Sequence, residues 1–286
     1  MGQYPGRLGM LRQGGWHLTG GGVFAPRGGT ILPSGGYAPG ASSGGSPPPT
    51  YYPWDETDSV GWWSSKYEAL LAASPPALPA VITTPTDLEG AHTLTQATAG
   101  KRMTLTAAAL NGNPALVPGA GGVAAHSGYQ FSADWAKPAA LTVYYLIKYL
   151  GSGTYQVAFV GDHTAGTSLG PVGRFSHNAG NANKASLASG ARVIYTAAMT
   201  DGSIHVITYG WNATHMFLRL DGGAVQTDLL DQASPGVFRT GIGFPNLDTQ
   251  DCICTVEGFG MHSGAWDPGG ARDLRVMAYL NALGGL

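Results

Sequence analysis

The sequence predicts an all-β fold, an antiparallel sandwich or barrel with very little helix. Two observations lead to this prediction. Short runs of alternating β-branched and aromatic residues recur along residues 51–286, and glycine-rich turns separate them about every 8–12 residues. Helical periodicity is almost absent, so strands must supply the core.

The clearest strand signals lie in the second half of the chain. Residues 141–150 (LTVYYLIKYL) predict a central strand with both faces partly buried, and residues 155–160 follow it after a Gly-Ser-Gly turn. Asp201-Gly202 and Asp221-Gly222-Gly223 are strong turn signals between later runs. Those later strands are predicted at residues 191–199, 204–211, 216–220, 224–227 and 253–261.

Helical signals occur mainly in two places. Residues 64–73 (SSKYEALLAA) form one short candidate. The second is C-terminal, with Asp267 as N-cap, Pro268 in the first turn and Gly284-Gly285 as the end. Its predicted shared face consists of Ala271, Leu274, Met277 and Ala278.

Glycine and proline divide the chain into two parts. Residues 1–50 contain 15 of the 45 glycines and 7 of the 19 prolines, and they carry three arginines and no acid. We expect this part to be an extended Gly/Pro-rich anchoring arm, a flexible coil when alone in water, and residues 51–286 to form the sandwich domain. The apolar anchors spaced among its glycines include Tyr4, Leu8, Leu11, Trp16, Phe24, Ile31 and Tyr37.

Composition excludes several classes of protein. Glycine has no period of three, which excludes collagen, and 15 basic against 17 acidic residues give no nucleic-acid signature. No run approaches the roughly 18 apolar residues of a membrane span. Residues 1–7 lack the apolar core of a signal peptide, so we expect an unprocessed N-terminus. Cys252 and Cys254 are too close for easy disulfide geometry, and we interpret them as small buried residues.

Several motifs occur in an order typical of one known domain family. Asp201-Gly-Ser-Ile-His-Val-Ile-Thr-Tyr is followed by Met216-Phe-Leu-Arg-Leu-Asp-Gly, and Cys254-Thr-Val-Glu-Gly-Phe-Gly-Met is followed by Trp266-Asp-Pro. With His92-Thr-Leu-Thr-Gln-Ala-Thr and Leu110-Asn-Gly-Asn-Pro-Ala-Leu upstream, this series resembles the concanavalin A-like (laminin-G-like) jelly-roll domain of bacteriophage structural proteins. The resemblance covers residues 54–286 and implies a jelly-roll sandwich. It departs at residues 117–122, where that family often has Phe-Asp-Gly.

The resemblance also gives a test for catalysis. Glycosidases of this fold carry two carboxylates on one strand in a Glu-x-Asp-x-x-Glu pattern, but Glu56, Glu68, Glu89 and Glu257 do not stand in that spacing. We therefore predict no enzyme and no catalytic residue, and we interpret Glu257 as a structural carboxylate at the sheet edge.

The histidines and loop acids indicate no metal site or cofactor. His205 lies in a predicted strand, where packing with a backbone hydrogen bond is the usual explanation. No metal or cofactor is predicted, with calcium held by Asp162, Asp248 and Asp251 as the less favoured alternative.

Carbohydrate binding remains open. A sugar ring needs an aromatic platform beside polar side chains, and the loop after residue 160 is rich in polar side chains. The alternative is that this loop is a polar surface loop with no ligand. Separately, the aromatic residues around Trp62 and Trp63 are either core or a subunit contact. The candidate carbohydrate-binding residues are Asp162, His163, Arg174, His177, Asn178, Asn181, Trp211 and Asn212.

These features lead to a functional expectation. We expect a bacteriophage virion protein, a capsid decoration or a tail or fibre component, assembled in the host cytoplasm. Residues 1–50 would bind other capsid or tail subunits, and the lectin-like sandwich would be displayed, for attachment to a surface polysaccharide. We expect a homo-oligomer that binds no nucleic acid and no membrane. The alternatives are a stand-alone carbohydrate-binding lectin module and, less favoured, a polysaccharide-cleaving glycoside hydrolase.

Overall fold

The structure, a computed structural model, divides the chain into two compact units, Met1–Tyr52 and Pro53–Leu286. The residues that it describes are 16–19, 23–26, 30–31, 37–38, 51–71, 75–118, 127–136, 138–150, 163–164, 167–168, 172–176, 183–189, 191–230, 237–242 and 254–286.

Two short hairpins occupy the described part of the first unit. Strands β1 (Trp16–Thr19) and β2 (Val23–Pro26) pair antiparallel, as do β3 (Thr30–Ile31) and β4 (Tyr37–Ala38). Short apolar runs separated by glycine can fold back and pair locally in this way. The anchoring arm, with its coil state when alone in water, stays a prediction. Four predicted anchors lie in these strands, whereas Tyr4, Leu8 and Leu11 lie outside the described residues.

The described part of the second unit consists of strands and one α-helix, α1 (Ala271–Gly284). Single turns of 3-10 helix lie at Pro53–Asp55 and Ala99–Lys101, and a π-helical turn lies at Tyr67–Leu71. The described strands are β5 (Ser59–Ser64), β6 (Ala80–Val81), β7 (Leu94–Thr95), β8 (Thr104–Leu110), β9 (Asn113–Val117), β10 (Tyr129–Ala136), β11 (Leu141–Lys148), β12 (His163–Thr164), β13 (Thr167–Ser168), β14 (Val172–Ser176), β15 (Lys184–Ser189), β16 (Arg192–Ala198), β17 (Ile204–Trp211), β18 (His215–Leu220), β19 (Gln226–Leu229), β20 (Val237–Ile242) and β21 (Thr255–Ser263).

A nine-stranded antiparallel sheet organises the second unit. Its order is β19-β18-β17-β11-β21-β9-β8-β6, and β5 also pairs with β21. The smaller sheets β20-β10-β7 and β14-β15-β16 contribute Phe131, Ile242 and Leu187 to the same hydrophobic core as Tyr145 and Phe259 of the large sheet. The prediction of an all-β antiparallel sandwich is thus confirmed, while the jelly-roll order stays a prediction.

The large sheet is buried on both faces, which explains the continuous apolar run of β11. Val143, Tyr145 and Ile147 point into the sandwich core. Tyr144 points the other way, and its hydroxyl donates to Asp273 of α1 at 3.1 Å. Helix α1 therefore covers the second face of the sheet. Among the described residues, no helix is long and apolar enough to cross a membrane.

Most predicted strands agree with the structure to within a few residues. Strand β17 has the predicted bounds, and the turn before it uses Gly202 with a positive φ of 78°. Gly222, with φ of 70°, lies in the turn that follows β18. The prediction for residues 155–160 lies outside the described residues, as does Cys252. Cys254 is buried, as predicted.

Both helix predictions need correction. The first candidate is helical over residues 65–71, where α-helical Ser65 and Lys66 lead into the π-helical Tyr67–Leu71, but Ser64 belongs to β5 and residues 72–73 lie outside the described residues. Helix α1 begins at Ala271 with Gly270 as N-cap, while the predicted cap Asp267 accepts a turn hydrogen bond from Gly270 N. Of the predicted face only Met277 is buried, because the helix packs through a different stripe. That stripe is Asp273, Val276, Met277, Tyr279, Leu280 and Leu283.

Trp62 and Trp63 are both buried, in two separate cores. Adjacent strand residues point to opposite faces, and here each face is covered. Trp63 stacks on Phe259 in the sandwich with 4.8 Å between ring centroids, whereas Trp62 lies beside Trp54 at 6.2 Å on the α1 face. These rings therefore form core, which removes the argument for a subunit contact at Trp62 and Trp63.

Candidate functional site

A β-bulge turns Glu257 out of the regular pattern of β21. Leu146 pairs with Gly258, and the next residue of β11, Ile147, pairs with Val256, so Glu257 is the extra residue. Bulges re-aim side chains and are frequent beside active sites. Here the bulge places a carboxyl group in the interior of the large sheet, where it is 1 % exposed. The prediction that Glu257 lies at a sheet edge is therefore wrong, because β21 is an interior strand.

The two carboxyl oxygens of Glu257 have different surroundings. Oε1 accepts hydrogen bonds from Ser64 Oγ at 3.2 Å and from the backbone N–H of Lys66 at 3.3 Å. Oε2 is buried and has no hydrogen-bond partner among the described residues. A buried polar oxygen without a partner costs about 1–3 kcal/mol. A hydroxyl or a water at Oε2 would remove that penalty.

Burial also changes the protonation of Glu257. Loss of solvation raises its pKa to about 7, and the hydrogen bonds from Lys66 N and Ser64 offset only part of this effect. At neutral pH a large share of the molecules therefore carries a proton on this carboxyl. A carboxylic acid in this state can donate a hydrogen bond or a proton as well as accept one.

Glu257 lines a cavity that also contains Glu68. The cavity volume is 20 Å³, which is room for about one water molecule or one ligand hydroxyl. Glu68 is half-buried, and its Oε2 accepts a hydrogen bond from Thr86 N at 3.0 Å. The remaining lining combines apolar and hydroxyl-bearing side chains: Trp63, Ser64, Ser65, Ile82, Pro85, Thr86, Leu105, Leu116, Ile242, Val256 and Phe259.

The predicted carbohydrate-binding residues are only partly described. Asp162, His177, Asn178 and Asn181 lie outside the described residues, as do the calcium candidates Asp248 and Asp251. His163 lies in β12 and Arg174 in β14, and the structure describes only their backbone. The binding role of these residues stays a prediction.

Trp211 and Asn212 are described, and they do not form an exposed ring with a polar neighbour. Trp211 is the last residue of β17, fully buried, and its indole N–H donates to Pro138 O at 3.1 Å. Asn212 Oδ1 accepts hydrogen bonds from Thr214 N at 2.9 Å and His215 N at 2.8 Å. Trp211 cannot serve as the predicted sugar platform, because strand alternation directs its ring into the core, and Asn212 organises the hairpin turn.

His205 also differs from its prediction. Its ring makes two side-chain hydrogen bonds, one to Ser203 Oγ at 2.6 Å through Nε2 and one to Asp221 Oδ2 at 2.7 Å through Nδ1. Asp221 follows β18, and pairing of β17 with β18 brings it beside His205. The sequence pattern indicates only a turn at Asp221. The signal for its contact with His205 is the spacing of the predicted β17–β18 hairpin, which places the end of β18 beside the start of β17.

Comparison with known proteins finds similarity in structure alone. No family model and no curated protein matches the chain. Trypanosoma rangeli sialidase in complex with sialic acid is 12 % identical, with a TM-score of 0.51 over 88 % of this chain and 35 % of that one. An arabinofuranosidase complexed with arabinofuranosyl-alpha-1,2-xylobiose is 15 % identical, with a TM-score of 0.50 over 71 % of this chain and 51 % of that one. The chain thus spans about a third and about half of the lengths of these proteins.

This similarity defines the class of fold, an all-β architecture that also occurs in enzymes acting on carbohydrates. It contradicts the prediction that the chain is not an enzyme, because the similar structures are a sialidase and an arabinofuranosidase. That prediction required two acids close together on one strand. The fold instead brings Glu68 and Glu257, from distant parts of the sequence, to one cavity.

Proposed function

We propose that the chain is a carbohydrate-binding protein of a bacteriophage virion, with the sandwich as its binding domain. The observation that carries the binding proposal is the unpartnered Oε2 of Glu257, a residue that lines a cavity of one hydroxyl's size. A sugar presents hydroxyl groups on its rim, and one of them can enter this cavity and bond to Oε2. The likeness of the fold to proteins solved with sialic acid and with an arabinofuranosyl xylobiose supports this choice of ligand class.

Binding is tested with the two sugars that those structures contain. Sialic acid and arabinofuranosyl-xylobiose are titrated separately into the full chain by calorimetry, followed by an array of bacterial surface polysaccharides. Glu257→Ala enlarges the cavity and removes the acceptor, so we expect affinity to fall about tenfold or more, in line with a lost hydrogen bond to a buried acid. Glu56→Gln removes a carboxylate that pairs with Arg275 elsewhere and should bind as the wild type does. Failure of every glycan to bind at millimolar concentration would overturn the proposal.

Cleavage of a glycosidic bond is a second candidate function, favoured by the two carboxyls at one cavity. Glu257 carries a proton near neutral pH and can act as general acid, while Glu68 offers the second carboxylate that such hydrolysis needs. We expect Glu257→Gln and Glu68→Gln each to abolish release of reducing sugar while Glu257→Gln still binds. Absence of sugar release by the wild type on every glycan that it binds would exclude cleavage and leave the binding proposal intact.

The virion role relies on the first unit. Residues 1–50 are rich in glycine with spaced apolar residues, and the chain divides near their end into two units. We propose that this segment binds other capsid or tail subunits and that the sandwich is displayed on an oligomer. In a phage that encodes the chain, deletion of residues 1–50 should prevent incorporation into particles and leave the near-ultraviolet circular dichroism of the sandwich unchanged. Normal incorporation of the truncated chain would overturn this part of the proposal.

A further inference from the structure

We propose that Ser203, His205 and Asp221 form an ester-hydrolysing triad in which Ser203 is the nucleophile. The three side chains meet where the turn before β17 lies beside the end of β18. Their arrangement has the three parts of an activated nucleophile: a hydroxyl in contact with an imidazole, and a carboxylate that orients the imidazole from its other nitrogen.

The contacts settle which nitrogen of His205 carries the proton. Asp221 Oδ2 lies 2.7 Å from Nδ1, and a carboxylate only accepts hydrogen bonds, so Nδ1 is the protonated nitrogen. In the neutral ring Nε2 then has a free lone pair, and Ser203 Oγ lies 2.6 Å from it. The Ser203 hydroxyl also contacts Thr200 O, so its proton has two acceptors, this carbonyl and Nε2 of His205.

The surroundings hold the imidazole while leaving the hydroxyl reachable. The side chain of His205 is 11 % exposed, which restricts the ring to one orientation. Asp221 is fixed by a second hydrogen bond, since Oδ1 accepts from Val206 N at 2.8 Å. Ser203 lies on the turn that connects β16 to β17 and is partly exposed. This location fits an ester group carried on a larger molecule, and we assign the substrate class as esters of small carboxylic acids, such as acetyl esters.

The proposed reaction is a two-step acyl transfer through an acyl-serine ester. Ser203 Oγ attacks the ester carbonyl carbon, its proton passes to His205 Nε2, and the bond to the alcohol oxygen breaks as Nε2 returns that proton to the leaving alkoxide. Water then attacks the acyl-serine ester and gives its proton to Nε2, and Oγ takes the proton back as the carboxylic acid leaves. The net change is ester plus water to acid plus alcohol, and no oxidant, metal or cofactor takes part.

The full chain is tested with 4-nitrophenyl acetate and with a fluorophosphonate probe. We expect hydrolysis with a stoichiometric burst, one fluorophosphonate adduct by intact mass, and peptide mapping of that adduct to Ser203. Ser203→Ala should remove the burst and the adduct at unchanged melting temperature, because the replaced hydroxyl is on a turn. Thr214→Ala is the matched control: Thr214 Oγ1 also contacts a histidine, but through Nδ1 of His215 at 2.8 Å, and activity should persist.

Asp221 is a positioning residue, and its test must separate orientation from folding. In Asp221→Asn the amide can donate to Nδ1, which moves the imidazole proton to Nε2 and removes the base. We expect kcat to fall by about 10²–10⁴ with KM nearly unchanged, as for other triads that lose their carboxylate. Absence of wild-type labelling, labelling that persists in Ser203→Ala, or an unchanged kcat in a folded Asp221→Asn would each overturn the triad. None of these results bears on glycan binding at Glu257, since the two sites share no residue.

Discussion

The two faces of the nine-stranded sheet are built from alternate residues of the same strands, yet they are held by different forces. On the sandwich face, Tyr145 stacks on Phe259 at 4.7 Å and Trp63 stacks on the same ring, so burial of apolar surface dominates. On the α1 face, Asp273 is 1 % exposed and collects four hydrogen bonds. The donors are Tyr144 Oη at 3.1 Å, Arg219 Nη2 at 2.7 Å, Trp266 Nε1 at 3.2 Å and Gly269 N at 2.8 Å.

A polar network thus holds the helix on the sheet, whereas apolar packing holds the sandwich together. Apolar packing tolerates small adjustments, whereas a buried charge must keep all its partners. Arg219 is 6 % exposed and lies over the Trp266 ring at 5.1 Å, so removal of its carboxylate leaves an unpaired buried cation. The α1 face is therefore the more sensitive of the two to single changes.

The largest expected effect is that of Asp273→Ala. Loss of the carboxylate leaves Arg219 buried without a counter-charge, which lowers the free energy of unfolding by about 3–5 kcal/mol. Urea denaturation followed by tryptophan fluorescence measures the change. The matched control is Asp228→Ala, which breaks the partly exposed pair of Asp228 with Arg192 (2.8 Å) and should lower the free energy of unfolding far less than Asp273→Ala does. Equal effects of the two variants would contradict the comparison of the faces.

Glu257→Gln should change the pH dependence of stability. The folded protein holds the Glu257 proton up to a pKa of about 7, whereas the unfolded chain releases it near the ordinary value of 4.5. Between these values the folded state binds more protons than the unfolded state, so this carboxyl makes the free energy of unfolding fall as the pH rises from 4.5 to 7. The fall is about 3 kcal/mol, since each pKa unit corresponds to about 1.4 kcal/mol.

The measurement is the difference in unfolding free energy between wild type and Glu257→Gln at several pH values. Other titrating groups are common to both chains and cancel in the difference. We expect the wild type to lose stability relative to the variant between pH 4.5 and 7.5, with no further change above. A difference that is constant with pH would show that Glu257 is ionised in the folded state at neutral pH.

Alanine substitutions at two glycines of β21, Gly260 and Gly258, should differ in their effect on stability, by less than the changes above. A Cβ on Gly260 would lie 1.8 Å from Trp62 Cε3, so Gly260→Ala must displace a buried indole on the α1 face. We expect a loss of about 1–3 kcal/mol, typical of overpacking. Gly258→Ala is the control on the same strand, since its Cβ would meet its nearest neighbours, Leu280 Cδ2 and Trp63 O, at 3.8 Å, an ordinary contact. Melting temperatures measure both variants, and equal stability would show that Trp62 can move freely.

Local patterns account for what the sequence predicted well. Strand β17 could be predicted to the residue because side-chain alternation and the Asp201-Gly202 turn before it are local signals. The end of α1 could also be predicted from the sequence, because Gly285 takes the left-handed conformation that ends helices, with φ 71°. The start of α1 and the order of the strands in the sheet are set by contacts between distant parts of the chain.

The candidate sites were missed for the same reason. Glu257 could be recognised as an unusual acid in an apolar strand, but its bulge and its shared cavity with Glu68 arise only when β21 pairs with β11 and β5. Ser203 and His205 are neighbours in sequence, yet Asp221 reaches His205 only through the hairpin of β17 and β18.

Sequence patterns alone predict the class of fold, the positions of most strands and the contrast between a glycine-rich first segment and a β-rich remainder. These follow from side-chain alternation and turn chemistry, which act over a few residues. Long-range contacts determine that Glu68 and Glu257 share a cavity, that His205 meets the carboxylate of Asp221 and that both Trp62 and Trp63 are buried. Those outcomes depend on strand pairing and on α1 covering the second face of the sheet, and no local pattern encodes which distant residues meet.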